Sequence, residues 1–108
     1  MSVMLEFAMF PTDQGESVSA HVSQVIRMIR NSGADYQLTP MGTLIETETL
    51  EQAMALVQQS YQILDSAGCS RVYSSLKLDI RKGPIGRLKS KIASIEEKIG
   101  PVNCQPPQ

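Results

Sequence analysis

Two runs of strict two-residue alternation, residues 2–10 and 70–80, bracket two stretches of helical periodicity, and that order leaves few folds open. In the first run Val3, Leu5, Phe7 and Met9 share one face of a strand, and Met4, Glu6, Ala8 and Phe10 share the other, with the strand ending before Pro11. In the last run Val72, Leu76, Leu78 and Ile80 point one way; Arg71, Tyr73, Ser75, Lys77, Asp79 and Arg81 point the other. Between them, Glu16 or Ser17 opens a helix with Val18, Val22, Val25, Ile26 and Ile29 at helical spacing, stopped by Asn31-Ser32-Gly33. Residues 35–39 and 43–47 read as a hairpin joined by Pro40-Met41-Gly42. Thr47 or Thr49 caps a second helix, whose stripe is Leu50, Met54, Leu56, Val57, Tyr61 and Leu64 and whose end is Gly68. After Gly83-Pro84, residues 87–99 form a third helix with Leu88, Ile92, Ile95 and Ile99 inward, ended by Gly100-Pro101.

Strand, helix, strand, strand, helix, strand is the ferredoxin-like βαββαβ plan of the α+β class, here with an appended C-terminal helix. Two helices then cover one face of a four-stranded antiparallel sheet, with the first and third strands central. Residues 1–100 are expected to form one domain and residues 101–108 a loose tail.

Several function classes are disfavoured. The formal net charge of -1 lacks the basic excess of a nucleic-acid protein. No stretch approaches the ~18 apolar residues that cross a bilayer, and Glu6 interrupts an N-terminal run that has no basic lead, so neither a membrane span nor a signal peptide is expected. Cys69 and Cys104 lack metal-ligand spacing and read as reduced thiols, in keeping with a cytoplasmic protein. His21 lies near Ser17, Ser19 and Ser23, but no carboxylate is placed to orient it and no glycine-rich turn offers an oxyanion site. It reads as an exposed residue at a helix start. Arg81, Lys82, Arg87, Lys89 and Lys91 read as a solvated basic face.

The sheet face away from the two helices carries what remains. Glu6 sits on a central strand, with Ser75, Lys77, Asp79 and Arg81 on the final strand. Leu44 and Glu46 join that face if Ile45 turns to the core. Glu6 could bridge to Lys77 or Arg81, or these acids could face a cationic or amine-rich ligand in a partly dry cleft. The long edge strand 70–80, with Met4, Phe10 and Tyr73 nearby, invites a second copy of the chain.

Ser17-Val18-Ser19, the run from Ser32 to Glu46, Ala67 to Val72, Leu76 to Arg81 and Lys91 to Glu97 together resemble the thiamine-binding protein family, related to hydroxymethylpyrimidine/thiamine-binding proteins, over about residues 2–99. The resemblance implies a ferredoxin-like fold, homodimers or homotetramers built through sheets, and binding of thiamine or its hydroxymethylpyrimidine moiety without chemistry or a cofactor. The positions it points to are Glu6, Thr39, Met41, Gly42, Thr43, Glu46, Lys77, Asp79 and Arg81. Glu46 or Glu6 would accept from the pyrimidine amine, Thr39 and Thr43 would satisfy ring nitrogens, Met41 would pack on the ring, and Gly42 would admit close backbone approach. Gly83-Pro84-Ile85-Gly86 and the proline-rich tail depart from the family pattern, which bears on ligand specificity. Two other readings stand beside it: an oligomeric interaction module with no small ligand, and a small enzyme using His21 or paired carboxylates.

Overall fold

A computed structural model describes residues 1–15 and 18–103. The expected helix start at Glu16 or Ser17 and the tail from Cys104 lie outside them. The elements run β1 (Ser2–Pro11), α1 (Ser19–Asn31), β2 (Asp35–Thr39), β3 (Gly42–Thr47), α2 (Leu50–Ser66), β4 (Val72–Arg81) and α3 (Arg87–Ile99). The strands form one antiparallel sheet in the order β2-β3-β1-β4, so β1 and β3 are central. This is the ferredoxin-like arrangement, with α3 added.

The alternation of β1 holds through Val3, Leu5, Phe7 and Met9, all buried against Val25 and Ile29 of α1 and Ala53, Leu56 and Leu64 of α2. In β3, Ile45 is opposite Leu5 and Thr43 opposite Phe7, so both turn to this core and Leu44 and Glu46 turn away. β1 also extends one residue further than the alternation predicts. Pro11 pairs only with Val72 of β4, beyond the stretch of β1 that pairs β3, so its missing N–H leaves no second neighbour unsatisfied.

Three expectations about covering fail. The buried residues of α2 are Ala53, Leu56, Ser60 and Leu64, whereas Leu50, Met54 and Tyr61 are exposed. The small residues Ala53 and Ser60 let α2 lie close to the sheet, and the Ser60 hydroxyl donates to the Leu56 carbonyl, so burial leaves no orphan group. On β4, Leu76, Leu78 and Ile80 do lie on the helix side, opposite Phe7, Leu5 and Val3, yet stay 39%, 39% and 48% exposed. The helices sit mainly over β1 and β3 and leave the β4 edge bare. On α3, Leu88 and Ile92 are half-buried, but Ile95 and Ile99 are 42% and 72% exposed.

Local chemistry sets the ends. Thr49, not Thr47, caps α2: its hydroxyl accepts from the Gln52 N–H, and the Gln52 side chain accepts from the N–H groups of Glu48 and Thr49. Thr39 and Gly42 close a two-residue hairpin loop over Pro40 and Met41. Asp13 accepts from both the N–H and the hydroxyl of Ser70, tying the exit of β1 to the approach to β4, next to the buried thiol of Cys69. The Ser70 hydroxyl bond is the main reason that the Asp13 carboxyl is lowered to about 2.

Thr49→Ala is expected to destabilise the fold by about 1 kcal/mol, measured by urea unfolding, because it removes one half of the capping box.

Candidate functional site

The second face of the sheet is neither bare nor fully covered. The α3 helix packs against it at the β3 and β1 strands, anchored by its first residues, and leaves the rest open. Glu46 makes the anchor. Its side chain points away from the core and is 1% exposed. Oε2 accepts from the N–H groups of Gly86 and Arg87 at 2.9 and 3.1 Å and from the Ser2 hydroxyl at 2.5 Å, while Oε1 accepts from the Leu88 N–H at 3.3 Å. The carboxylate thereby satisfies N–H groups that the first turn of α3 would leave unpaired, at the positive end of its dipole. Gly86, at φ +114, adopts the turn that aims these amides at one point.

Arg87 completes the junction. Its guanidinium donates to the Asp79 carboxylate and carbonyl, each at 2.8 Å, and to the Ser2 hydroxyl and carbonyl, each at 2.9 Å. Arg87 is thus a fork tying β1 and β4 to α3, and not part of the solvated basic face that the charge run predicts. Burial alone would push the Glu46 carboxyl up, but the bonds from Ser2, Arg87, Gly86 and Leu88 outweigh it and hold the group below the usual carboxylate range.

The other expected positions separate into two places. Glu6, Lys77, Asp79 and Arg81 share the second face with Glu46. Leu44, Glu6 and Lys77 form one cross-strand row on the part of the face beyond the α3 junction, and Lys77 Nζ is 3.8 Å from Glu6 Oε1, with both side chains largely in water. Along the same face Phe10 and Tyr73 are opposite each other, 38% and 58% exposed, with ring centroids 5.8 Å apart and tilted by 43°. Ala8 separates them from Glu6 on β1 and presents no bulk. A carboxylate with a loosely held counter-ion is suited to an amine-bearing cation, and the aromatic pair offers ring faces four residues farther along the strand.

Thr39, Met41, Gly42 and Thr43 instead surround a small cleft of about 180 Å³, shared with Val22, Val25 and Ile26 of α1. Thr43 belongs to the core side and is 4% exposed; Met41 stands 89% exposed at the hairpin tip. The Thr39 hydroxyl already donates to the Gly42 carbonyl and accepts from the Met41 N–H. A Cβ on Gly42 would lie 3.0 Å from the Phe7 carbonyl oxygen, so the close approach this glycine permits is to β1 itself. These four positions lie apart from the Glu6 row, and Thr39, Gly42 and Thr43 have a structural use there. A larger cleft of about 740 Å³ borders the Glu46 junction, lined in part by Asp35, Glu46, Glu48, Gln52 and Ile85, and carries no aromatic residue.

His21 is half-buried rather than exposed, and its Nδ1 is shielded without a hydrogen-bond partner among the described residues. Ser23 donates to the Ser19 carbonyl, so neither hydroxyl is paired with the imidazole; Ser17 lies outside the described residues. Among the described residues no group of three or more His, Cys, Asp or Glu could hold a metal ion, and no helix is long and apolar enough to cross a membrane. Ser2 and Arg87 are the residues that sequence reading missed. A serine on the far face of a central strand and one arginine in a basic run carry no local signal of their meeting.

Comparisons with known proteins bear on the family and the fold. A family model described as "Thiamine-binding protein" matches residues 5–96. A UPF0045 protein of Mycobacterium bovis is 35% identical over 99 residues, covering 92% of this chain and 96% of the relative. Another from Methanothermobacter thermautotrophicus is 34% identical over 83 residues, covering 77% and 84%. Among solved structures, a hypothetical protein of Methanocaldococcus jannaschii superposes with TM-score 0.75 at 28% identity, covering 89% of this chain and 97% of that one. A Thermotoga maritima protein with the working description of a thiamine biosynthesis/salvage protein has the same fold, with TM-score 0.69 at 23% identity over 92% and 96% of the two chains.

The junction gives a pH prediction. A carboxyl held below its unfolded value contributes stability that is present above the ordinary carboxylate range and lost as pH falls through the folded value. Stability is therefore expected to be flat from pH 7 to 5 and to fall below the ordinary glutamate range. Glu46→Ala, which strands the amides and Ser2, should cost roughly 3 kcal/mol or more at pH 7 and flatten that acid limb in urea titrations.

Proposed function

Because this chain belongs to the thiamine-binding protein family, we propose that it binds thiamine or its hydroxymethylpyrimidine moiety in the cytoplasm, without chemistry, on the sheet face around Glu6. The observation that carries this reading is the exposed Glu6 carboxylate on a central strand, held only loosely by Lys77, with the Phe10–Tyr73 pair farther along the same face. The carboxylate accepts from the exocyclic amine of the pyrimidine and offsets the fixed thiazolium charge. Lys77 swings from Glu6 as the ligand enters, a small loss for a side chain that is 81% exposed. Glu46, Asp79 and the hairpin positions shape the support and stay out of contact.

None of the clefts described above includes Glu6, and the open face is shallow. The reading therefore includes a second copy of the chain, whose surface supplies the other wall of the pocket. The bare β4 edge and the exposed Ile95 and Ile99 of α3 support such self-association. The same surfaces favour the second reading, an oligomeric interaction module with no small ligand.

Thermal unfolding with thiamine, hydroxymethylpyrimidine and choline as a control cation separates the two. Ligand at about 100 times its dissociation constant should add about 2.7 kcal/mol of stability, and choline should add none. Glu6→Gln is expected to weaken binding about tenfold or more by calorimetry while leaving the unliganded melting temperature in place, since the side chain is exposed. No shift with either ligand would overturn the thiamine reading in favour of the interaction module.

A further inference from the structure

We propose that the ligand of the Glu6 strip carries a phosphate ester as well as an amine-bearing ring, and that Lys91 and Lys98 of α3 hold the phosphate. This rests on the reading of the Glu6 face given above and narrows its ligand class.

The placement of α3 leads there. Its first turn is fixed at the Ser2 end of β1 by Glu46 and Arg87. From that end it packs over β3 and β1, and along one flank Leu88, Lys89, Ile92, Ala93 and Glu96 line a cleft of about 470 Å³ with Gln37 of β2. Gln37, Leu44, Glu6 and Lys77 are partners in one row across the sheet. The helix therefore reaches this row above β3, with Gln37 on one side of it and Glu6 on the other. Arg87 reaches β1 and β4, so its flank is the one that faces Glu6. Lys91, Ile95 and Lys98 follow Arg87 at four, eight and eleven residues and share that flank. Ile95 lies about 12 Å along the helix from Arg87, and Glu6 about 13 Å along β1 from Ser2. The two are level, with Lys91 and Lys98 on either side.

Charge then decides the ligand class. The strip has Lys77 on its β4 side and the exposed Lys91 and Lys98 on its α3 side, against the single carboxylate of Glu6. Of the other described carboxylates on this face or on α3, Asp79 is paired with Arg87 and Glu46 is enclosed by the first amides of the helix. Asp35 and Glu96 border the cleft on the β2 side, and Glu97, half a turn from the packed face, points to water. A ligand that is only a cation would meet more positive than negative charge here. A ligand with an amine-bearing ring for Glu6 and a phosphate for the lysines satisfies both, and the half-covered Ile95 between them gives the ring an apolar wall. Thiamine and hydroxymethylpyrimidine each carry a primary hydroxyl on which such an ester forms. The basic residues of α3 thus divide: Arg87 belongs to the junction, Lys89 to the β2 side, and Lys91 and Lys98 to the strip.

Calorimetric titration of the unsubstituted chain with thiamine, thiamine monophosphate and inorganic phosphate tests this. At low ionic strength the monophosphate should bind roughly tenfold more tightly than thiamine, and the advantage should shrink as salt is added. Lys91→Gln/Lys98→Gln should bring the two ligands within about twofold of each other. Lys91→Arg/Lys98→Arg should keep the preference, and Lys89→Gln, on the opposite flank, should not alter it. All of these side chains are exposed, so the variants fold as the parent does. Thiamine bound as tightly as its monophosphate, or a preference that survives Lys91→Gln/Lys98→Gln, would overturn the phosphate site and leave the thiamine reading in place. Inorganic phosphate bound as tightly as the monophosphate would overturn it too, since the ring would then contribute nothing. Absence of binding by all three would overturn both readings together.

Discussion

A negative charge taken out of water must be answered by nearby donors, and in this protein that requirement sets the position of the last helix. Glu46 lies on a central strand, on the side away from the main core, where no helix of the βαββαβ unit can reach it. The donors come from the start of α3 and from Ser2. Once those amides are fixed, the direction of α3 is fixed, and with it the portion of the second face that is covered. Arg87 follows as the next residue whose charge must be met, and Asp79 and the Ser2 carbonyl meet it. The open strip around Glu6 is what remains after this junction is satisfied.

The periodic parts of the fold were legible in the sequence because alternation and helical spacing are local. β1, the β2–β3 hairpin, β4 and the three helices fall where the apolar pattern puts them, and Gly33 and Gly68 mark two helix ends. Covering is not local. Nothing in Leu76-Lys77-Leu78 says whether a helix lies over it, and nothing in Ile95 or Ile99 says where α3 runs out of sheet. The α2 stripe held at Leu56 and Leu64 and failed at Leu50, Met54 and Tyr61 for a related reason: large residues were assumed to face inward, whereas the small Ala53 and Ser60 do.

The site divides along the same line. That Glu6, Glu46, Lys77, Asp79 and Arg81 share a face follows from parity and strand order, once Ile45 is placed in the core. What each carboxylate does depends on partners dozens of residues away. Glu6 and Glu46 look equivalent in sequence, yet one is loosely paired in water and the other is enclosed by amide hydrogens. Thr39, Met41, Gly42 and Thr43 were grouped with them through resemblance; hairpin hydrogen bonds account for Thr39, and the close approach to β1 accounts for Gly42.

The corner formed by Asp13, Cys69 and Ser70 has its own consequence. Cys69 is 5% exposed, and its thiol is pushed up first by burial and then by the negative field of Asp13. At neutral pH it stays protonated and out of reach, so a thiol reagent can modify it only when this corner opens. The rate of that modification is a clock for the opening of this corner, built into the chain and independent of any dye or label.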